Sequence, residues 1–370
     1  MNQKALRRVV ILAAVLGMAA SLSAWADDSA AAIAAGGLVP RRETRIVMAK
    51  EVLRIGMKKI VVDYDFRNDS DQDVTTEVAF PVPPYESGFA DGPAPEEQSF
   101  QSFKLWVNGK PVHCEPEAKA TLNGKDVTAV LNANRIDIPT FGHFTDTVDS
   151  KHQEVIDSPD FFRLPKDTRD QLVKAGLFEL VEAPWGKWTV HLQYHWTQTF
   201  PARAIVHIQH EYFPVVGYHY IDLDSIKLAL QSAAAQKAAA VNPEIRYFFA
   251  DLMGYCPDAQ FLRGVARQVE AIDEKTQSIM PGQYWVDFIL TSANTWKQPI
   301  EDFTLIVERP QLEQGMKTLL SFCSPANGKV EKLDAGHFQV HLTDFIPASE
   351  LHIGFFQVPV SNTAPAAKRK

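Results

Sequence analysis

The residues best suited to chemistry are histidines that alternate with apolar residues between Lys187 and Gly217. His191 and His195 fall on the polar side of a period-two pattern, and His207 and Glu211 do so after a short break. The break at residues 198–201 predicts a hairpin loop between the two halves. If the register places His195 opposite His207, then His191 lies opposite Glu211, with Cβ atoms roughly 5 Å apart. Imidazoles and a carboxylate at this spacing could hold a divalent metal. These four residues are therefore the candidate metal ligands.

A polar strand face without a metal is the alternative, and it is the interpretation that we favour. His337 and His341 alternate with apolar residues in the same manner, which is typical of ordinary polar-face residues. A catalytic zinc also needs an open coordination position and partners that orient each imidazole. The chain has no G-x-S-x-G, H-E-x-x-H, Walker or G-x-G-x-x-G motif. We expect no catalytic residue and no cofactor.

The chain has three cysteines, Cys114, Cys256 and Cys323. Cys256 follows a helical stretch and Cys323 ends a strand-like run, so we favour a Cys256–Cys323 disulfide that links the two. Closing a loop of this length would stabilise the fold by about 4 kcal/mol in the chain-entropy model. For Cys114, a reactive nucleophile and an inert buried thiol are the alternatives, and we favour the buried thiol.

Two further patterns suggest ligands. Asp69 to Asp73 resembles the start of a calcium loop, but it lacks the glycine and the bidentate glutamate of such loops, so a turn between strands explains it better. Aromatic residues near strand ends could stack on sugars or anchor a protein interface, although packing at the core or sheet edge is favoured. They are Trp185, Trp188, Trp296, Tyr218 and Tyr220.

The N-terminus predicts export. Basic residues precede an apolar run from Val9 to Ala20, and Ala24-Trp25-Ala26 then forms a cleavage site, which is the pattern of a secretory signal peptide. We expect cleavage after Ala26, a periplasmic or secreted location, and no membrane span in the mature chain. The net charge of -8, without a basic stripe, argues against a nucleic-acid partner.

The alternating segments predict a mainly β, β-rich α+β fold with two β-sandwich-type lobes of antiparallel strands and two inserted helical segments. Asn108-Gly109 is a two-residue hairpin signal within the first lobe. The predicted domains are a signal peptide (1–26), an N-terminal β-sandwich lobe (27–115), a helix and loop insert (116–182), a second β lobe (183–360) with a helical segment (221–280), and a flexible tail (361–370).

A faint internal repeat links the two lobes. Tyr64 to Asn68 followed by Phe80-Pro81-Val82 is similar to Tyr194 to Gln198 followed by Phe213-Pro214-Val215. Each unit is a strand, a polar turn, a second strand and a Phe-Pro stop. The two lobes are therefore predicted to be built alike.

Several short motifs run through the chain: Phe66-Arg67-Asn68, Phe80-Pro81-Val82-Pro83, Thr199-Phe200-Pro201-Ala202, Tyr212-Phe213-Pro214-Val215-Val216-Gly217, Tyr255-Cys256-Pro257-Asp258, Ser321-Phe322-Cys323 and Asp344-Phe345-Ile346-Pro347. Together they resemble a bacterial exported family catalogued as domain of unknown function 4424. The resemblance implies an exported protein with the Cys256–Cys323 pair, and it brings no catalytic residues. The first lobe also resembles, over short motifs only, the sandwich domain of inter-alpha-trypsin inhibitor heavy chains, which hints at binding by analogy of fold.

These observations predict an exported, non-catalytic binding or interaction module whose ligand is a protein or a carbohydrate. The alternative is an exported hydrolase or metal-dependent enzyme that uses the face with His191, His195 and His207. A cleft with convergent ionisable groups would favour the enzyme, and flat sheet faces with an apolar patch would favour the binding module.

Overall fold

A computed structural model describes residues 29–34, 37–87, 102–139, 147–149, 154–156, 159–180, 184–239, 241–270, 281–311 and 316–360. The predicted signal peptide and the predicted tail lie outside these residues. Within them, antiparallel strands predominate and helices are fewer, which confirms the β-rich α+β prediction. None of the helices in this part of the chain combines the length and apolar character that a bilayer crossing requires.

The strands follow the period-two pattern, as in residues 189–200, where every second side chain is buried. In chain order the strands are β1 (Ser29–Ala34), β2 (Gly37–Pro40), β3 (Ile46–Ile55), β4 (Ile60–Asn68), β5 (Val74–Pro81), β6 (Tyr85–Glu86), β7 (Lys104–Val107), β8 (Lys110–Val112), β9 (Glu115–Leu122), β10 (Lys125–Asp126), β11 (Thr147–Asp149), β12 (Glu154–Ile156), β13 (Phe178–Leu180), β14 (Pro184–Gly186), β15 (Thr189–Phe200), β16 (Ile205–Tyr212), β17 (Val216–Tyr220), β18 (Gly282–Phe288), β19 (Ile300–Glu308), β20 (Met316–Phe322), β21 (Glu331–Lys332), β22 (His337–Phe345) and β23 (Leu351–Pro359).

The α-helices fall within the two predicted helical segments. They are α1 (Thr128–Ala133), α2 (Pro159–Arg163), α3 (Lys166–Lys174), α4 (Leu223–Ala229), α5 (Ala233–Ala239), α6 (Pro243–Gly254) and α7 (Ala259–Glu270). The Asp222 carboxylate accepts the Ser225 backbone N–H at 3.0 Å and caps α4. The segment 116–182 also contains most of β9, a strand that the prediction of helix and loop missed.

Three sheets form the body of the protein. Sheet A has the order β10-β9-β15-β5-β1-β2 with β6 also paired to β15, sheet B has the order β21-β22-β19-β3-β4-β16-β7-β8, and sheet C has the order β17-β18-β23-β20. The strands β7 and β8 form the hairpin predicted at Asn108-Gly109, and both residues have positive φ. Sheets A and B each take strands from both predicted lobes, so the lobes share hydrogen bonds. The domain boundaries themselves stay a prediction.

One hydrophobic core joins the three sheets. Phe80 of sheet A, Phe66 of sheet B and Phe355 of sheet C are all fully buried in the same cluster. The opposite face of sheet C packs against the helices, where Phe356 contacts the cluster that contains Leu262 of α7. A separate cluster lies between sheet A and the helices α1 and α3. The fold is therefore a sandwich of sheet B against sheets A and C, with a helical layer outside sheet C.

The stretch from Lys187 to Gly217 is not a hairpin, and this prediction was wrong. β15 belongs to sheet A, where His195 lies opposite Ala79 of β5, whereas β16 belongs to sheet B, where His207 lies opposite Asp65 of β4. The short connection between the two strands carries the chain from one sheet to the other. Alternation shows which side chains of a strand are buried, but it does not identify the strand's neighbours.

The internal repeat corresponds to two such crossings, which we call arches. The first arch is β4 and β5 with the turn 69–73, and the second is β15 and β16 with the turn 201–204. β4 pairs with β16 and β5 pairs with β15, so the arches lie side by side and both contribute to each sheet. Phe66 and Phe200 meet inside, with ring centroids 5.7 Å apart.

The polar turn of the first arch binds the turn of the second. Asp71 accepts a hydrogen bond from the Arg203 guanidinium at 2.8 Å, and Asp73 accepts the Ala202 backbone N–H at 2.8 Å. The Asn68 amide donates to the Phe200 carbonyl at 2.9 Å. These contacts account for the aspartates that resemble a calcium loop, and they support the interpretation of a turn.

Candidate functional site

His191 and His195 lie on the outer face of sheet A, and each pairs with a side chain of a neighbouring strand. His195 Nδ1 is 2.7 Å from Glu77 Oε1 on β5, and His191 Nε2 is 2.9 Å from the Thr121 hydroxyl on β9. Burial and the charge of Lys119 lower the pKa of His191, which favours its neutral form.

His207 and Glu211 lie on the outer face of sheet B, on the other side of the sandwich. His207 Nδ1 is 3.0 Å from Asp65 Oδ1 on β4. The Glu211 carboxylate accepts hydrogen bonds from Lys59 at 3.3 Å and from Lys104 at 3.2 Å. Both residues therefore have partners within their own sheet.

The predicted set of metal ligands is not brought together. His191 and His195 are separated from His207 and Glu211 by the full thickness of the sandwich, because β15 and β16 belong to opposing sheets. The enzyme hypothesis that placed His191, His195 and His207 on one face is wrong in its geometry. Over the described residues, no group of three or more His, Cys, Asp or Glu side chains is arranged to hold a metal ion.

The histidine that sequence reasoning missed is His210, which points into the core and is fully buried. Its ring centroid lies 4.9 Å from that of Phe80, 5.1 Å from that of Phe103 and 5.4 Å from that of Trp196. Burial lowers the pKa of His210 to about 3, so the imidazole is uncharged at neutral pH. The signal was present in the sequence, because His210 has the same strand parity as the buried Ile208.

A pocket of about 120 Å³ opens where the chain leaves both arches, and we call it the proline pocket. Its lining is Val82, Pro83, Pro84, Tyr85, Glu86, Tyr212, Pro214, Val215, Gly217, Trp285 and Asp287. The Phe-Pro stops of the internal repeat lie at the end of β5 and just after β16, and residues 82–84 and 214–215 of these segments line the pocket. β18 of sheet C supplies Trp285 and Asp287. All three sheets therefore contribute to one site.

The Trp285 ring packs directly on the backbone of Gly217. A Cβ atom at Gly217 would lie 1.9 Å from Trp285 Cε2, so the contact requires glycine. Asp287 Oδ1 is 2.8 Å from His352 Nδ1, and this hydrogen bond raises the pKa of His352 against the opposing effect of burial. The tryptophan and the carboxylate are thus held in place by neighbouring groups.

Behind Trp285, a polar cluster joins sheet C to the helical layer. His219 Nε2 is 2.9 Å from Asp251 Oδ2, and His219 Nδ1 is 2.8 Å from the Tyr220 carbonyl oxygen. Asp251 also accepts hydrogen bonds from the Tyr255 hydroxyl at 3.0 Å and from the Gln283 amide at 2.5 Å. Burial is the largest single effect and disfavours the imidazolium, but the hydrogen bonds to Asp251 and to the Tyr220 carbonyl, with the charges of Asp251 and Asp222, together outweigh it and raise the pKa of His219. Each ring nitrogen faces an acceptor, although the Gln283 amide nitrogen also lies 3.2 Å from His219 Nε2 and donates to Asp251.

The cysteine pair lies beside this cluster. The Cα atoms of Cys256 and Cys323 are 4.9 Å apart and their sulfur atoms are at disulfide distance. The bond would connect the end of α6 to the end of β20. Cys114 is half-buried, and burial raises the pKa of its thiol, which disfavours the thiolate that a nucleophile needs.

The aromatic residues that suggested a sugar platform divide into two groups. Trp188 and Trp296 are 0% and 1% exposed and belong to the core. Tyr220 is 57% exposed, and Tyr218 packs against Tyr284 with ring centroids 4.8 Å apart. The side chain of Trp185 is not among those that the structure describes. The pocket tryptophan, Trp285, was not among the predicted residues because a strand interior predicts core packing.

Comparison with known proteins gives a family and remote structural similarities. Residues 26–353 match the protein family described as Domain of unknown function (DUF4424), which confirms the resemblance in the sequence motifs. No curated protein matches the chain at a significant level. A crystal structure of a proposed nutrient binding protein from Legionella pneumophila is similar with 14% sequence identity over 90% of this chain and 70% of that chain, at a TM-score of 0.39. A similarity this remote carries no statement about function.

Proposed function

The chain belongs to the family described as Domain of unknown function (DUF4424), and we propose that it is an exported binding protein whose ligand docks at the proline pocket. The observation that carries this proposal is the convergence of both Phe-Pro segments with Trp285 on a single pocket. Prolines and a packed tryptophan form a stiff wall, so little conformational entropy is lost when a ligand binds.

The size of the pocket favours a side chain over a whole sugar ring. A volume of about 120 Å³ corresponds to roughly four water molecules at about 30 Å³ each. A group of this size is one residue of a peptide or of a protein surface. The proposed ligand is therefore a protein or peptide segment that inserts one side chain.

The charge of the pocket favours a basic side chain. Glu86 supplies an exposed carboxylate and Asp287 a second one that already pairs with His352, and among the described residues that line the pocket there is no Lys, Arg or His. A lysine or arginine would pack its alkyl stem on the prolines and place its cation near Trp285 and the carboxylates. A cation over a tryptophan face contributes about 0.5–2 kcal/mol.

Export is part of the proposal. The N-terminal pattern of basic residues, an apolar run and Ala24-Trp25-Ala26 is that of a secretory signal. The cysteine pair at disulfide distance is consistent with an oxidising compartment. The proposed location is the periplasm or the extracellular medium, and the ligand would be another exported protein.

A capture experiment tests the proposal. The mature protein is immobilised, exposed to cell-envelope extract from a bacterium that produces it, and the retained proteins are identified by mass spectrometry and titrated individually. The variant Glu86→Lys places a cation at the exposed rim of the pocket. We expect it to weaken binding of the retained partner by about tenfold or more, because one charge-assisted contact becomes repulsive.

The matched control is Glu331→Lys, which makes the same charge change on an exposed strand away from the pocket. It should bind the partner as the wild type does. Equal binding by Glu86→Lys and the wild type would refute the proline pocket as the docking site. Retention of a glycan in place of a protein would refute the proposed ligand class.

A further inference from the structure

A second pocket lies beside the start of β5, where the chain enters β3. The proline pocket lies beyond the other end of β5. The second pocket has a volume of about 370 Å³ and is lined mainly by polar groups. Arginines 41, 42 and 45 come from the segment before β3, and Thr75 and Thr76 come from the start of β5. None of these residues takes part in the proline pocket.

Glu43 fixes this segment in place. Its backbone N–H donates to the Thr295 carbonyl at 2.8 Å, and its side chain is largely buried. The Arg45 guanidinium binds the carboxylate through two hydrogen bonds, from Nε at 2.8 Å and from Nη2 at 2.7 Å. This bidentate pair lowers the pKa of Glu43 and neutralises its charge.

Arg41 and Arg42 bring two further guanidinium groups to the pocket. Within the described residues, neither guanidinium has a carboxylate partner, although both are exposed beside Glu43. Three guanidinium groups against one carboxylate leave a local excess of positive charge, in a chain whose net charge is -8. A cationic pocket on an acidic protein concentrates anions at that point.

A threonine hydroxyl completes the donor set. The Thr75 hydroxyl is 2.9 Å from the Thr199 hydroxyl on β15, and either oxygen can be the donor in that pair. When Thr199 donates, the Thr75 hydrogen is free to bind an acceptor in the pocket. Thr76 has the opposite strand parity, and its hydroxyl donates to the Glu77 carbonyl at 3.4 Å. A hydroxyl donor next to guanidinium groups suits the oxygens of an oxyanion.

We propose that Arg41, Arg42 and the Thr75 hydroxyl form a binding site for a small oxyanion that carries a phosphate, sulfate or carboxylate group. The volume accommodates roughly twelve waters at about 30 Å³ each, so a small organic acid or phosphate ester fits. The Arg45–Glu43 pair holds the segment in place. The site is separate from the proposed function and adds a second, anionic ligand.

Isothermal titration calorimetry of the mature protein with inorganic phosphate, sulfate and acetate tests the site. We expect one of the three anions to bind the wild type at a single site, and increasing sodium chloride to weaken that binding. The double variant Arg41→Gln/Arg42→Gln should weaken it by about tenfold or more, because two charged donors are lost. The anion that binds most tightly identifies which oxyanion group the ligand carries.

The matched control is Arg246→Gln/Arg263→Gln, which removes two exposed arginines from helices α6 and α7 and should leave binding unchanged. Circular dichroism of each variant verifies that the protein is folded, and Thr75→Val, which preserves side-chain shape, should weaken binding several-fold. The Glu86→Lys variant should bind the anion as the wild type does, because Glu86 lines the proline pocket and not this one. The anion test and the test of the proposed function can therefore fail independently. Absence of binding for all three anions, or equal binding by the Arg41/Arg42 variant, would overturn the proposal.

Discussion

Nε2 of His219 lies 2.9 Å from Oδ2 of Asp251, and this contact joins strand β17 of sheet C to helix α6. Only 13% of the His219 side chain and 26% of the Asp251 side chain are exposed. Because water screens such a pair little, the contact holds the helical layer on the sheet more strongly than a surface ion pair would.

The stability contributed by His219 should depend on pH. Burial lowers its pKa, but the hydrogen bonds to Asp251 and the Tyr220 carbonyl and the charges of Asp251 and Asp222 together raise the pKa in the folded state above the unfolded value of about 6.5. The contribution is therefore fully present below pH about 6.5 and is lost as the pH rises through the raised pKa. We expect His219→Gln to reduce the free energy of unfolding by about 1.5–3 kcal/mol near pH 5.5, and by less near pH 8.5.

The comparison variant is His341→Gln. His341 Nε2 makes a similar contact, 2.9 Å from Asp302, but both side chains are about half exposed. Its substitution should cost about 0–1 kcal/mol. Urea unfolding of both variants over this pH range is the measurement, and a His219→Gln deficit that grows with rising pH would contradict the prediction.

His210 should make the protein sensitive to acid. Its pKa of about 3 lies below the unfolded value, so the unfolded chain binds a proton that the folded protein excludes. Below pH about 6.5 this costs about 1.4 kcal/mol of stability per pH unit. His210→Leu should remove that slope. The measurement is the free energy of unfolding of the wild type and of His210→Leu at three acidic pH values. Parallel pH profiles for the two proteins would refute the predicted role of His210.

Cys256 and Cys323 should be bonded and Cys114 free. Thiol titration of the denatured, unreduced protein should give one sulfhydryl, and reduction should raise the count to three. The pair closes a sequence separation of 67 residues, so Cys256→Ser/Cys323→Ser should lower the free energy of unfolding by about 4 kcal/mol. In Cys114→Ser the reductant should still lower the melting temperature. Three sulfhydryls without reductant would exclude the bond.

Asn68 should be essential for the two arches. Its amide donates to the carbonyls of Gln72 and Phe200, each at 2.9 Å, and its oxygen accepts the Ser70 N–H at 2.9 Å. Asn68→Ala leaves buried backbone groups unpaired and should cost about 2–4 kcal/mol. Asn134→Ala, which removes one exposed hydrogen bond, should cost less than about 1 kcal/mol. Calorimetric melting of the two variants compares their losses of stability. Equal losses for Asn68→Ala and Asn134→Ala would disprove the essential role of Asn68 in the arches.

Gly217→Ala should damage the proline pocket, because the new Cβ meets the Trp285 ring at 1.9 Å. We expect a loss of about 1–3 kcal/mol from overpacking and a changed near-ultraviolet circular dichroism spectrum, as Trp285 moves. Gly264→Ala in α7 is the control, since a Cβ there meets open space. It should be neutral or stabilising by up to about 1 kcal/mol. An unchanged spectrum for Gly217→Ala would count against the packing described.

Sequence patterns predicted the direction of side chains better than the pairing of strands. Alternation assigned His191 and His195 to the polar side of β15, and both lie on the outer face of sheet A while every second side chain of the strand is buried. It could not show that the connection after Phe200 crosses between sheets, because a four-residue link serves a hairpin and an arch equally well. The predicted histidine site failed for this reason.

The candidate sites were harder to predict because their residues are distant in sequence. Trp285 meets Gly217 only through the pairing of β17 with β18, and Asp251 reaches His219 only when α6 packs on sheet C. Periodicity carries no information about such packing. The Phe-Pro stops were visible as a repeat, but their convergence depends on the side-by-side arrangement of the arches.

The arrangement of the arches has a consequence for how the chain folds. β4 finds its partner β16 only after more than a hundred residues have followed it, and β5 depends on β15 in the same way. Such long-range pairing slows folding, because the entropy of closing a long loop is lost before contacts compensate for it. A growing chain that has not yet reached residue 212 lacks the second arch and cannot complete either large sheet. Synthesis therefore leaves this protein open until late, which is the state in which a polypeptide can be threaded through an export channel.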